Sequence, residues 1–244
     1  MDVRRLATMT WDDVPAKTLV LVPIGSTEQH GPHLPFETDT LIATAAAERI
    51  AQALQNHGTD IILAPAIAYG ASGEHQEFPG TVSIGHDALR VQIVELVRSL
   101  SSWADRIVFV NGHGGNVSTL AAAITQMRHE QHDVAWLACI FESAGDAHAG
   151  SIETSVMLHL APDKVRMDKA APGQLASLEE ILPILMEQGV RAASPSGVLG
   201  NPTNATAEGG RQMMGQLVAN SVTLIADATV DDRGRLVATE LASR

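Results

Sequence analysis

The feature that most restricts this chain is a fourfold alternation. Four short apolar runs, 18–24 (TLVLVPI), 60–64 (DIILA), 106–110 (RIVFV) and 134–140 (VAWLACI), alternate with longer segments of helical periodicity. Unbroken apolar runs of this length suit strands buried on both faces, as in a parallel sheet. The segments 39–57, 87–103, 116–132 and 152–160 read as helices. In the second of these, Leu89, Ile93, Leu96, Val97 and Leu100 share one face. Thr38 or Asp39 is the expected N-cap of the first, and Gly58 its stop. The pattern predicts an α/β fold of three α/β/α layers, with a mainly parallel central sheet.

Beyond residue 141 the pattern loosens. Residues 178–188 read as a helix interrupted by Pro183, and 206–226 as a helix capped by Thr206. Residues 65–80, 141–150 and 189–205 read as loops, and 229–244 as a polar, poorly packed tail. No repeat or low-complexity linker divides the 244 residues, so one domain is expected.

Composition removes several function classes. The formal charge of −12 argues against nucleic acid or an anionic membrane as the main partner. No apolar run approaches the roughly 20 residues of a membrane span, and no apolar stretch follows Arg4 and Arg5 to make a signal peptide. A cytoplasmic location is the expectation. The single cysteine, Cys139, lies in an apolar run and reads as a small buried residue rather than a nucleophile.

The chemistry concentrates in loops that follow or join the predicted strands. Five of the ten histidines, His30, His33, His75, His113 and His148, fall there, where ligands bind in open parallel sheets. Between the first strand and first helix, Glu28 and His30 are two apart and share a face if extended. Asp39 follows at the helix start, where the helix dipole favours a carboxylate. Three oxygen and nitrogen donors suit Zn²⁺, Mn²⁺ or Fe²⁺; a solvated loop with an N-capping Asp39 has the same spacing. His33 and Glu37 read as loop residues. After the third strand, Asn111-Gly112-His113-Gly114-Gly115-Asn116 can bring backbone close to a ligand and project His113. A tight structural turn is the alternative, whereas a phosphate cradle lacks its Lys-[Ser/Thr]. His148 could move protons and Glu153 could complete a metal shell; a loop histidine and a helix-start carboxylate are the plainer readings. Ser72, Glu74 and His75 lie in a loop that could contact substrate. His57, His86, His129, His132 and His159 sit at or near helix termini and read as structural.

Together, Glu28-x-His30-Gly-Pro-His33-Leu-Pro with Asp39, Asn111-Gly-His113-Gly-Gly-Asn116, and His148-Ala-Gly with Glu153-Thr-Ser resemble the creatininase family of amidohydrolases. The likeness runs from about residue 18 to 215. It implies a creatininase-like α/β/α fold, two divalent metal ions per subunit (Zn²⁺, Fe²⁺ or Mn²⁺) and a homo-oligomer such as a hexamer. By position, Glu28, Asp39 and His113 would hold one metal, and His30 with a bridging Asp39 the other. His148 would transfer the proton. Creatininase itself carries a metal-binding glutamate at the position of Gly115 and a tyrosine at that of Gly114. Creatinine is therefore not the expected substrate, and Glu153 is the candidate replacement ligand. Tyr69-Gly-Ala-Ser72-Gly-Glu74-His75 and Gly197-Val-Leu-Gly-Asn-Pro-Thr-Asn-Ala-Thr206 are similar to a peptidase branch of the family that acts in mycofactocin biosynthesis. That likeness implies hydrolysis of a modified precursor peptide near its C-terminus, with release of a Val-Tyr-derived unit. Main-chain N–H groups of Gly114 and Gly115 would stabilise the oxyanion, and Asn116 would position substrate. The competing expectations are a deformylase or amidohydrolase acting on a small formamide or cyclic amide, and a non-catalytic oligomeric scaffold.

Overall fold

The computed structural model describes residues 2–141 and 146–239. Four parallel strands, β1 (Leu19–Ile24), β2 (Ile61–Leu63), β3 (Arg106–Asn111) and β4 (Val134–Ala138), form one sheet in the order β2-β1-β3-β4. Leu19 of β1 is in register with Ile61 of β2 and Arg106 of β3, and Ile107 of β3 with Val134 of β4. Alternate residues point to opposite faces, and both faces are covered. Leu19, Leu21, Val108, Val110 and Leu137 pack on one side with Ile50, Met157 and Leu217. Those three belong to helices α1 (Thr38–Asn56), α4 (Ser151–Leu160) and α6 (Ala207–Asp227). Val20, Val22, Ile24, Phe109 and Trp136 pack on the other side with Ile93 of α2 (Gly85–Leu100) and Ile124 of α3 (Val117–His129). Two-sided burial is why the strands read as unbroken apolar runs. The expected three-layer architecture is the one observed.

Three local expectations are corrected. Neither Thr38 nor Asp39 caps α1. Its N-cap is Glu37, which makes no side-chain cap bond, and the Thr38 hydroxyl donates back to the Pro35 carbonyl at 2.7 Å. Pro183 does not interrupt its helix. α5 (Leu178–Ala193) runs through it and kinks instead at Gly189, whose φ of 76° leaves the helical region. The polar stretch after 229 is not loose over its described part. The Trp136 N–H donates to the Gly234 carbonyl at 3.0 Å, and the Leu236 N–H donates to the Trp136 carbonyl at 2.8 Å. Leu236 is buried, and the segment covers the outer edge of β4. Residues 142–145 of the expected 141–150 loop and 240–244 of the tail lie outside the described residues.

α4 and α6 approach closely at Gly210, where an added Cβ would collide with the Ser155 main chain. Gly215, one and a half turns on, is exposed and faces open space. Gly210→Ala is therefore expected to lower stability by about 1–3 kcal/mol through overpacking. Gly215→Ala is expected to raise it by about 0.5–1 kcal/mol through helix propensity. Denaturant melts of both variants check this contrast, and equal midpoints would contradict it.

Candidate metal centre

The strand order reverses between β1 and β3: β1 leads back to β2 on one side, and β3 and β4 lie on the other. Loops leaving the carboxyl ends of these two strands diverge and open a crevice. Glu28 and His30 leave β1 into this crevice, His113 leaves β3, and Asp39 sits in the first turn of α1. Two glycines permit the closeness. An added Cβ at Gly25 would strike the main chain of Thr40, and one at Gly112 would lie 2.5 Å from the Asp39 carbonyl. Both strand ends thus press directly on the start of α1.

Asp39 is the shared residue. Its Oδ1 lies 3.0 Å from His30 Nε2, while its Oδ2 lies 3.2 Å from His113 Nδ1 and accepts a 2.7 Å bond from Ser26 Oγ. His30 Nδ1 is 3.1 Å from the Glu28 carbonyl, so this nitrogen donates and Nε2 is turned to Asp39. Glu28 is fully buried. Its Oε1 lies 3.2 Å from His75 Nε2 and 3.8 Å from His148 Nδ1; its Oε2 lies 3.2 Å from His113 Nε2. Neither oxygen accepts an aligned hydrogen bond.

His148 and Glu153 enter from the start of α4. An antiparallel bridge to Leu199 holds His148, and its ring lies between those of His30 and His75, with centroids 4.3 and 4.4 Å away. Ala149 adopts the left-handed region at φ 53°, which turns its N–H onto the Glu153 carboxylate. Glu153 Oε2 lies 4.0 Å from His30 Nε2. Asp146 anchors this corner by accepting from the Ile152 N–H at 3.1 Å and the Asn201 N–H at 3.2 Å. Beside His148 and Glu153 opens a cavity of about 250 Å³, with Ile42, Cys139, Ile140, Phe141 and Ile152 on its apolar wall. Burial pushes the Cys139 thiol up to about 12, which leaves it protonated and inert.

Burial disfavours every charge here, and the balance of neighbours decides which persist. His30 is desolvated, yet Asp39 beside it raises it to about 10; Glu28 and Asp39 likewise overcome burial and raise His113 to about 10. Burial opposes ionisation of Asp39, but His30 and His113 outweigh it and hold the carboxyl well below its ordinary range. Glu28 has less compensation, and burial raises it to about 7. His75 is lowered to about 3 by burial and by the neighbouring imidazoles, and His148 is also lowered by burial. The centre therefore pairs buried carboxylates with protonated imidazoles, which a divalent cation can replace. Three donor sets, Glu28–Asp39–His113, His30–Asp39–Glu153 and Glu28–His30–His148, have ligand atoms within 4.8 Å of one another, and the first two share Asp39. The orphaned oxygens of Glu28 and the mixed oxygen and nitrogen donors fit a divalent metal.

Several expected substrate contacts are placed elsewhere. Asn116 is buried and spent internally: its Oδ1 accepts from the Ala71 N–H at 2.9 Å, and its Nδ2 donates to the Gly25 carbonyl at 2.9 Å. It ties three loops together. Ser72 is buried beneath His113, with Oγ 3.4 Å from Nε2. His75 lies beneath Glu28. Glu74 is partly exposed, with Oε1 3.5 Å from His113 Nε2. Gly114 is open to solvent, whereas an added Cβ at Gly115 would lie 2.6 Å from Glu74 Oε1 and collide with Ala71 and His113. His33, read as a loop residue, is fully buried, with Nε2 2.9 Å from Thr154 Oγ1. Gln29 and Asp146 were not singled out by sequence. For Gln29 the available signal was its place between two ligand-type residues; Asp146 carried only its nearness to His148.

Comparison with known proteins identifies the family. The family model described as creatinine amidohydrolase matches residues 7–225. The chain is 51% identical over 236 residues to the mycofactocin precursor peptide peptidase of Mycobacterium ulcerans, covering 95% of this chain and 94% of that one. It is 52% identical over 201 residues to the protein of the same name from Mycolicibacterium smegmatis, covering 82% and 81%. A crystal structure of creatinine amidohydrolase superimposes with a TM-score of 0.76 at 25% identity, over 93% of this chain and 98% of that one. A motif set gathered at the strand switch point, a family match across most of the length and a shared fold lead to one assignment: the chain belongs to the creatininase family of amidohydrolases.

Proposed function

We propose that this protein is a metal-dependent peptidase that hydrolyses an amide near the C-terminus of the modified mycofactocin precursor peptide and releases its Val-Tyr-derived unit. The observation that carries the reading is the pair of donor sets sharing Asp39, in a chain about half identical to peptidases named for that substrate. Glu28, Asp39 and His113 would hold one divalent ion. His30, Asp39 and Glu153 would hold a second, with Glu153 supplying the carboxylate that Gly115 cannot. Zn²⁺, Fe²⁺ and Mn²⁺ all suit these donors. When bound, such ions polarise an amide carbonyl and lower the pKa of water.

The chain's own residues supply the rest. His148 Nε2 lies 2.8 Å from the Gln29 carbonyl and donates to it, which leaves the Nδ1 lone pair toward Glu28. Nδ1 is then the atom placed to take the proton that the attacking water gives up and to pass it to the leaving nitrogen. The apolar wall of Ile140, Phe141 and Ile152 accepts a hydrophobic end group and keeps water from the scissile bond. Main-chain N–H groups of Gly114 and Gly115 would face the developing oxyanion. A homo-oligomer acting in the cytoplasm fits the family. No helix among the described residues is long and apolar enough to cross a membrane.

Mass spectrometry of the modified precursor peptide, incubated with enzyme and each metal in turn, tests the substrate. A new fragment at the C-terminal unit is expected; an intact peptide alongside a cleaved small formamide or cyclic amide would point to a small-molecule amidohydrolase instead. Asp39→Ala and His113→Ala should each lose stoichiometric metal and reduce cleavage more than about 100-fold. Either variant working at full rate without metal would sink the mechanism.

Metal affinity should also rise with pH. His30 and His113 carry protons up to about 10 without metal, and Glu28 up to about 7. Binding must expel those protons, so acid competes with metal. The dependence is steepest below pH about 7, where Glu28 is protonated too. Chelator competition between pH 6 and pH 9 (roughly the accessible range) measures this, and a flat profile would contradict it.

A further inference from the structure

Gln29 lies between two candidate ligands, Glu28 and His30, yet its side chain turns to the opposite wall of the centre. It is buried, and its amide can be oriented without ambiguity. Oε1 receives the Gly31 N–H at 2.8 Å, so that atom is the acceptor. Nε2 lies 3.2 Å from the Gly197 carbonyl, which can only accept. The remaining amide N–H points to His75 Nδ1 at 2.8 Å. That ring nitrogen must therefore accept. A neutral imidazole that accepts at Nδ1 carries its proton on Nε2, and Nε2 is the atom 3.2 Å from Glu28 Oε1. The contact between Gln29 Nε2 and His148 Nε2 at 3.1 Å is then not a hydrogen bond, because both amide protons are committed. His148 Nε2 donates instead to the main-chain carbonyl of the same glutamine. Gly197, at φ 81°, leaves room for this arrangement, since a Cβ there would overlap the Gln29 amide.

We infer that Gln29 is a positioning residue that sets the tautomers of two histidines at once. Its side chain forces the Nε2–H form on His75, which puts that N–H, rather than a lone pair, beside Glu28 Oε1 at 3.2 Å without an aligned hydrogen bond. Its main-chain carbonyl forces the Nε2–H form on His148, which turns a lone pair toward the centre. His75 is thereby neither a metal ligand at Nε2 nor a substrate contact. Its N–H lies against Glu28 Oε1 and leaves Oε2 beside His113 Nε2, so it bears on the carboxylate through a close electrostatic contact rather than a hydrogen bond. This deepens the metal-dependent reading proposed above and rests on it for the role of Glu28. The tautomer assignment itself stands on hydrogen-bond geometry alone.

The test uses the full chain labelled with ¹⁵N-histidine, metal-free and zinc-loaded, with long-range proton–nitrogen correlation spectra to read the tautomers. His75 and His148 are both expected in the Nε2–H form. Gln29→Glu is nearly isosteric but cannot donate to His75 Nδ1. It should convert His75 to a form protonated at Nδ1 and weaken zinc binding about 10- to 100-fold in chelator competition. His75→Gln keeps an N–H near the former Nε2, so it should retain more zinc affinity than His75→Leu. A purely structural role would lower the melting temperature without moving the His75 nitrogen shifts. An Nδ1–H tautomer for His75 in the unsubstituted protein would overturn the inference. So would unchanged zinc affinity in Gln29→Glu with the tautomer altered. If the unsubstituted protein bound no zinc, iron or manganese, the metal reading would fail while the spectra still decided the tautomer assignment.

Discussion

The carboxylate of Glu28 is the constraint around which the rest of the molecule is arranged. It is fully buried, and neither oxygen has an aligned hydrogen bond. A charge in that position is tolerable only when compensating charge lies against it. The protein places protonated His113 beside one oxygen and the N–H of neutral His75 beside the other, and it holds His30 and His113 protonated up to about 10. Protons thus occupy the electrostatic role that a divalent ion can take. Such an arrangement is poor for stability, because well-packed apolar side chains would cost less than desolvated charges. Its retention in a buried cluster makes sense as preparation for a cation.

The fold supplies the means. A parallel sheet sends consecutive loops to one edge, and the reversal of strand order between β1 and β3 separates the loops that carry Glu28 and His113. Gly25 and Gly112 let the strand ends touch the first turn of α1, so Asp39 reaches both histidines from a rigid helix. Rigidity matters because oxygen and nitrogen donors must converge before a ligand arrives. The far side is built differently. Left-handed Ala149, the Asp146 anchor and the short pairing with Leu199 hold His148 and Glu153 on a loop beside a cavity. The rigid half fixes Glu28, Asp39 and His113 on strand ends and a helix, and the loop half brings His148 and Glu153 against them beside the cavity.

Much of this was legible in the sequence, and the failures have physical causes. Two-sided burial writes each strand as an apolar run, so the sheet and its helices could be placed within a few residues. Glu28, His30, Asp39 and His113 could be gathered because strand-end loops share an edge. The cap of α1 could not, because the pull of two imidazoles on the Asp39 carboxylate is a tertiary effect that overrides capping preference. Pro183 misled because a proline removes only one helical hydrogen bond and α5 runs on through it, while the break came at Gly189 with its positive φ. Asn116 looked like a substrate contact because its neighbours are glycines; in space those glycines bring three loops within reach of its amide. Gln29 was passed over because alternation in an extended segment sends it away from Glu28 and His30. The centre is enclosed from both sides, so that opposite direction also leads into it.

The missing carboxylate at Gly115 shows why a ligand set cannot be altered one position at a time. The sequence raises the question of what replaces a family ligand at that residue. In space, the direction a side chain would take from Gly115 is filled by the Ala71 carbonyl, the His113 ring and the Glu74 carboxylate. A glutamate at 115 and the present path of the loop carrying Glu74 compete for one volume. Restoring the former requires rebuilding the latter, which also carries Ser72 and His75 beneath the centre. Glu153 stands on the other flank, 4.0 Å from His30, and competes with none of these groups. Glycine at 115 and the path of the Glu74 loop therefore form one steric solution. Exchanging the glycine while keeping that loop leaves a clash with the His113 ring and the Ala71 carbonyl.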